Sequence, residues 1–311
     1  MRIVYLSWPA GEISGGIKAA FQHVALLREA GFDALVATED GRRPGWFETA
    51  APVAPLDTLQ PGDVLVFPEN NPRLFERFAG SPHRKLVFCQ NQHYAWQGLA
   101  GRASFAQWGV SALLCPSVTV VQFCRRRFPE LPAHHTPFHV DERVFLPTPK
   151  SLQIACIPRK RALEMGAIHD LFRALCPEHA GIGWHVLQGA SEAKVAEVLG
   201  RSAVYLGLAR LEAHGMTTLE AMASGCLVAG FTGSAGGSDS ATAANGFWAG
   251  EDDVLGCADQ LVRAVRLARQ GGTEYEAMVA AGRETAWAYR REEAARRLVG
   301  FWRAWLQAAL V

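Results

Sequence analysis

Glu212 and Glu220 bracket the stretch EAHGMTTLE, with His214, Gly215, Met216 and Thr217 between them. A carboxylate accepts hydrogen bonds, so Glu220 could take up vicinal hydroxyls such as those of a ribose. Glu212, just upstream, would face the same pocket from a loop. A helix beginning near Gly215 would present free amide N–H groups and the positive end of its dipole to a phosphate. The same letters also have a purely local explanation. Thr217-Thr218-Leu219-Glu220 fits a capping box, and Gly225 can end the helix by taking positive φ. The surrounding elements must decide between the two.

Three other clusters carry chemistry. Ile157-Pro158-Arg159-Lys160-Arg161 gathers three cations directly after an apolar run. Guanidinium and ammonium groups there would neutralise a diphosphate, and the charge that grows on it as it leaves. The plain alternative is a solvated basic loop. Gln90-Asn91-Gln92-His93-Tyr94 places four polar side chains and an imidazole after another apolar run, which suits a pocket lining. His93 is the catalytic candidate there, although a lone histidine is more often structural. Ser14-Gly15-Gly16 opens a helical pattern, and its glycines would let backbone approach an anion closely. It lacks the GxGxxG spacing of a dinucleotide site, and a plain tight turn explains it equally well. A second glycine-rich run, Thr232 to Ser240, follows the apolar stretch Cys226–Phe231.

The elements that must hold these groups alternate between short apolar runs and longer amphipathic ones. Strands are expected at Arg2–Trp8, Asp33–Thr38, Asp63–Pro68, Lys85–Asn91 and Ser111–Ser117, then at Leu152–Ile157, Gly183–Gln188, Ala203–Ala209 and Cys226–Phe231. Helices fall between them, most clearly over Gly16–Ala30 and Thr119–Phe128. This rhythm is that of an α/β protein with parallel sheets covered on both faces. The proline-rich stretch Pro137–Lys150 suits a linker. Two Rossmann-like domains result, 1–145 and 150–285, followed by a terminal helical segment, 286–311. Each candidate residue follows an expected strand, where open α/β sheets bind ligands.

Composition narrows the classes. A chain of 311 residues with 49% apolar and 20% charged residues is long enough for two sizeable cores. Its net charge of +1 creates no field that would recruit nucleic acid. Seven scattered cysteines without a CxxC pair argue for a reducing compartment and against a zinc ribbon. The opening MRIVYLSWPAGE reads as a strand rather than a signal peptide, and no apolar run approaches about 18 residues. The expected location is cytoplasmic. Leu298, Phe301, Trp302, Trp305 and Leu306 make an apolar stripe that suits packing on the first domain, with contact at the inner membrane face as the alternative. Arg125-Arg126-Arg127 reads as a solvated helix face, with anionic lipid contact as the alternative.

These residues, in this order, resemble the retaining glycosyltransferases of the GT-B fold, family-4 type. The resemblance spans nearly the whole chain. It rests on Gly15-Gly16, on Val140-Asp141-Glu142-Arg143-Val144-Phe145-Leu146-Pro147, and on Glu212 to Glu220 as the E-x7-E motif continued by LEAMASGCLVAGF. Gly236-Gly237 and Asn245-Gly246-Phe247 resemble the loop and turn that close the donor pocket. The resemblance implies two parallel-sheet domains facing across a cleft, with a C-terminal helix crossing back. It implies transfer of a hexose from a nucleotide sugar to a saccharide or lipid-linked acceptor in polysaccharide biosynthesis, with retained anomeric configuration and no metal or other cofactor. Glu220 would bind the donor ribose, Glu212 would lie near the sugar and diphosphate, and Arg159 and Lys160 would neutralise the diphosphate. The amides of Gly215, Met216 and Thr217 would contact phosphate or sugar, and His93 would lie near the reacting sugar. His214 stands where that family often places an aromatic residue. A nucleotide-sugar epimerase of the same architecture, or a non-catalytic nucleotide- or glycan-binding protein, is the alternative.

Overall fold

The computed structural model describes residues 1–213, 215–233 and 240–308. The chain divides into two compact units, one of residues 1–139 with 292–308, the other of residues 140–291. The boundary falls inside the proline-rich stretch.

The first unit holds a seven-stranded parallel sheet in the order β3-β2-β1-β4-β5-β6-β7. Its strands are β1 (Ile3–Leu6), β2 (Ala34–Thr38), β3 (Val53–Pro55), β4 (Val64–Pro68), β5 (Arg84–Phe88), β6 (Val110–Cys115) and β7 (Ala133–His135). Every residue of β1, β2 and β4 is buried, as a sheet covered on both faces requires. Helix α1 (Gly15–Glu29) follows β1 and stops at Gly31, whose φ is 86°. There the Gly31 and Phe32 amides donate to Arg28 and Leu27 carbonyls at 3.0 Å each, a Schellman closure that needs the glycine. Helices α2 (Pro72–Arg77), α3 (Ala95–Leu99) and α4 (Val118–Arg127) complete the first stretch of the unit.

The second unit holds five parallel strands in the order β12-β11-β10-β8-β9. These are β8 (Ser151–Cys156), β9 (Gly183–Val186), β10 (Ser202–Gly207), β11 (Leu227–Phe231) and β12 (Gly246–Ala249). Helices α5 (Ala162–Leu175), α6 (Glu192–Arg201), α7 (Met216–Ala223), α8 (Val254–Gln270) and α9 (Gly272–Trp287) cover them. The core of this unit runs through Ile154, Phe172, Leu206, Leu227, Phe231 and Leu261.

The last helix, α10 (Arg291–Ala308), buries Ala294, Leu298 and Trp302, four residues apart each time. Within the first unit Phe301 lies against His134 at 4.8 Å between ring centres, and Arg297 bonds the His135 ring at 3.0 Å. The apolar stripe is therefore engaged on protein. Among the described residues no helix is long and apolar enough to cross a membrane.

Both sheets reverse their strand order once. In the first unit the reversal lies between β1 and β4, and in the second between β8 and β10. Ligands of open α/β sheets bind outside the strand ends at such switch points.

Candidate functional site

The second unit assembles its candidate residues at its switch point. Strands β8 and β10 are parallel neighbours, so the loops that follow them emerge side by side. Lys160, after β8, donates to Glu212 Oε1 at 2.7 Å and to the Arg210 carbonyl at 3.2 Å, both after β10. Both charged side chains stay about one third exposed, so the pair remains open to a ligand. Leu211, just before Glu212, has φ of 50°, a left-handed conformation unfavourable for a residue with a branched side chain. The backbone turn that aims Glu212 is thus held by its surroundings. Arg159 is exposed and makes no ion pair with another described residue.

Arg161 departs from the expected cationic cluster. Its side chain is fully buried, with Nη1 on Asp252 at 2.6 Å and Nη2 on Glu251 at 2.6 Å. Nε donates to the Ala209 carbonyl at 3.2 Å, and the guanidinium lies 4.2 Å from the Phe231 ring centre. Hydrogen bonding from Arg161 also holds the Asp252 carboxyl below its usual range. A guanidinium with no exposed surface and two acids already paired to it is not available to a diphosphate. It ties the β8 and β10 loops to the turn before α8. Arg210 is drawn into the same knot through Glu164 at 3.0 Å.

Helix α7 begins two residues earlier than a Thr217–Glu220 capping box demands. Gly215 is its N-cap and has no side chain with which to cap it, so the expected Thr217–Glu220 box does not form. Met216 and Thr217 are its first two residues, and their amides lie at the free N-terminal end. Glu220 therefore stands on the second turn rather than the first, where it is buried. The helix does end as expected. Gly225 has φ of 77°, and the amides of Gly225 and Cys226 donate to Met222 and Ala221 at 3.0 Å each. Buried Tyr205 on β10 senses both glutamates, because burial raises its hydroxyl well above the usual range and the charges of Glu220 and Glu212 add to the effect. His214, Gly236 and Gly237 lie outside the described residues. Asn245 ends a turn, its backbone N–H donating to the Thr242 carbonyl at 3.1 Å. It is buried and donates to Thr285 Oγ1 of α9 at 2.9 Å and to the Ser240 carbonyl at 2.7 Å.

The first unit builds a polar floor at its own switch point. Gly15 starts α1, and a Cβ on Gly16 would stand 2.8 Å from Gln90 Oε1. Glycine at 16 is what lets the Gln90 amide lie against the helix start. Trp8, after β1, donates from its indole to Asn70 Oδ1 at 3.1 Å, after β4. His93 follows β5, half-buried, with its ring 3.3 Å from the Gln92 amide and its backbone N–H on Asn91 Oδ1 at 2.9 Å.

Glu69 was not singled out by sequence, and it organises this floor. It follows β4, is buried, and accepts the Asn91 amide at 2.9 Å. Burial pushes its carboxyl up to about 7, against the opposing bonds from the Gln90, Glu69 and Asn91 amides. Helix α3 lies directly on its carbonyl at Gly98, which has no side chain to interfere. Its position after the run VLVFP was the signal available. No group of three or more His, Cys, Asp or Glu side chains able to hold a metal ion occurs among the described residues.

No protein-family model matches the chain. The chain is 25% identical over 247 residues to an alpha-1,6-glucosyltransferase of Actinobacillus pleuropneumoniae serotype 7, a match covering 74% of this chain and 72% of that one. Among solved structures, Anabaena HepE in complex with UDP and glucose is similar with a TM-score of 0.72 and 12% identity, over 98% of this chain and 100% of the other. S. aureus TarM, in complex with fondaparinux, alpha-GlcNAc-glycerol and UDP, gives 0.64 and 13% identity over 79% of this chain. The match takes in 56% of TarM, so the chain spans little more than half of that protein. The two parallel-sheet α/β units match the GT-B architecture of such enzymes, and with the likeness in sequence they make this chain an enzyme of the glycosyltransferase type.

Proposed function

We propose that the chain transfers a hexose from a UDP-sugar to a saccharide acceptor, with retention at the anomeric carbon and without a metal ion. The observation that carries this reading is the Lys160–Glu212 pair at the second unit's switch point, beside the open N-terminal end of α7. HepE and TarM are both seen with UDP, and the sequence relative is named for transfer of glucose, which supports a UDP-hexose donor.

In this reading Lys160 and Arg159 neutralise the diphosphate, together with the amides of Met216 and Thr217. Glu212 orients Lys160 and approaches the sugar hydroxyls, and Glu220 accepts from the ribose. The bond between the anomeric carbon and the phosphate oxygen breaks, and an acceptor oxygen bonds that carbon on the same face. The acceptor proton passes to the departing phosphate. Charge grows on the leaving group as this happens, so fixed cations stabilise the transition state more than the ground state.

Thermal unfolding against UDP-, GDP-, ADP- and dTDP-sugars tests the donor, because a ligand that binds only the folded chain raises its midpoint by mass action. UDP-glucose is expected to stabilise most. Proton NMR of the product with a gluco-oligosaccharide acceptor is expected to show the α-anomer. Stabilisation by another nucleotide sugar alone, or a β-linked product, would overturn the reading.

A further inference from the structure

A separate cavity of about 310 Å³ opens in the second unit between the segment 140–147 and helix α9. It falls at the lower end of the roughly 300–1,000 Å³ typical of small-molecule sites. It is not the candidate donor site. The cavity reaches α7 at Ala223, the helix's last residue, whereas the donor amides lie at its first. Seven residue steps at about 1.5 Å each put roughly 10 Å between those ends.

The walls combine two kinds of surface. Val140, Phe145 and Ala286 form an apolar floor, while Leu146 and Trp287 stand on the rim, 52% and 57% exposed. An exposed indole offers a ligand a large flat apolar surface. Around it stand Arg283, Arg290, Glu142 and Glu284. Arg283 and Glu284 are exposed and make no side-chain hydrogen bond or ion pair with another described residue. Arg290 leans toward the Trp287 ring at 5.3 Å, and Glu142 accepts the Arg291 amide at 3.2 Å.

Two cations and two carboxylates cancel, so the cavity has no net field for a phosphate or nucleotide. It does have donors that cannot accept and acceptors that cannot donate, side by side. Vicinal hydroxyls need that combination, each giving one hydrogen and offering lone pairs. The C–H face of a pyranose ring is the apolar partner an exposed indole lacks, leaving its polar edge wet.

We propose that this cavity is a second saccharide-binding site, which holds a neutral oligosaccharide on the second unit away from the donor. Glu284 and Arg283 grip hydroxyls and Trp287 covers a ring face.

The test labels the tryptophans with 5-fluorotryptophan and follows fluorine NMR of the full chain at saturating UDP. The Trp287 resonance, one of nine, is identified by its loss in Trp287→Phe. Maltotriose, isomaltotriose, cellotriose and inorganic phosphate are titrated separately. The expected result is a saturable shift of that resonance with at least one trisaccharide, equal with and without UDP. Glu284→Gln and Arg283→Ala are expected to weaken it at least tenfold, with stabilisation by UDP unchanged. No shift with any trisaccharide, a shift with phosphate instead, or suppression by UDP overturns the site. Stabilisation by UDP, read on the same samples, reports the donor site independently, so the two readings can fail separately.

Discussion

Lys160 Nζ stands 2.7 Å from Glu212 Oε1, which joins the loop after β8 to the loop after β10 where the strand order reverses. Each partner sets the position of the other, so they should act as one unit in transfer. Lys160→Ala and Glu212→Gln are each expected to lower kcat/KM by about 10²–10³-fold, the usual effect of losing one preorganised charge-stabilising group. The double variant should be little worse than Lys160→Ala alone. Steady-state kinetics with UDP-glucose measure this, and strictly additive losses would refute the coupling.

Glu220 is buried on the second turn of α7 and should read the ribose. Glu220→Gln keeps the shape and removes the charge. Hydrogen bonds to a charged group contribute about 1.5–3 kcal/mol, so UDP affinity should fall about ten- to a hundredfold by calorimetry. An unchanged UDP titration in a folded variant rules out the assignment.

Arg159 and Arg161 are two residues apart and should behave oppositely. Arg161→Met leaves Glu251 and Asp252 without their buried partner. The expected loss is about 3 kcal/mol, the low end for breaking a buried pair, since both acids keep contact with water. Arg159→Ala should leave stability within about 0.5 kcal/mol, as exposed substitutions do, while weakening UDP binding. Chemical denaturation paired with UDP titration separates the two. Equal stability losses would contradict the division.

Glu69 predicts a pH dependence of stability. Its carboxyl is raised from 4.5 to about 7 in the fold. The unfolded chain therefore releases this proton first as pH rises. The fold loses stability across the window from 4.5 to about 7, and the loss stays constant above it. Glu69→Gln removes that linkage while its amide oxygen can still accept from Asn91. The variant should be the more stable above pH 7 by up to about 3 kcal/mol, with the difference gone by pH 4.5. Denaturation across that range checks it, and a difference independent of pH would disprove it.

How far the sequence was legible follows from what each feature depends on. The apolar runs for β1, β2, β4 and β5 stood out because a strand buried on both faces must be apolar along its whole length. Strands β3 and β7 are three residues long, too short to show a pattern, and β12 starts directly after the turn that ends at Asn245. The capping box does not form because Gly215 takes the cap position and moves Glu220 two residues further into the helix. Arg161 looked like its two neighbours, since nothing local reveals that Glu251 and Asp252 lie some 90 residues along the chain. Glu69 was passed over because one carboxylate after a strand carries no spacing pattern.

Residue order alone determined the alternation of strand and helix, the placing of Glu212, Lys160 and His93 after strands, and the glycines that stop α1 and α7. These depend on interactions within a few residues, where backbone sterics and side-chain polarity act directly. Only tertiary structure decided which strands became neighbours, and so which loops meet. That pairing split the basic loop, giving Lys160 to Glu212 and Arg161 to the buried acids. Long-range pairing is set by the packing of whole elements, and no short window of sequence contains it.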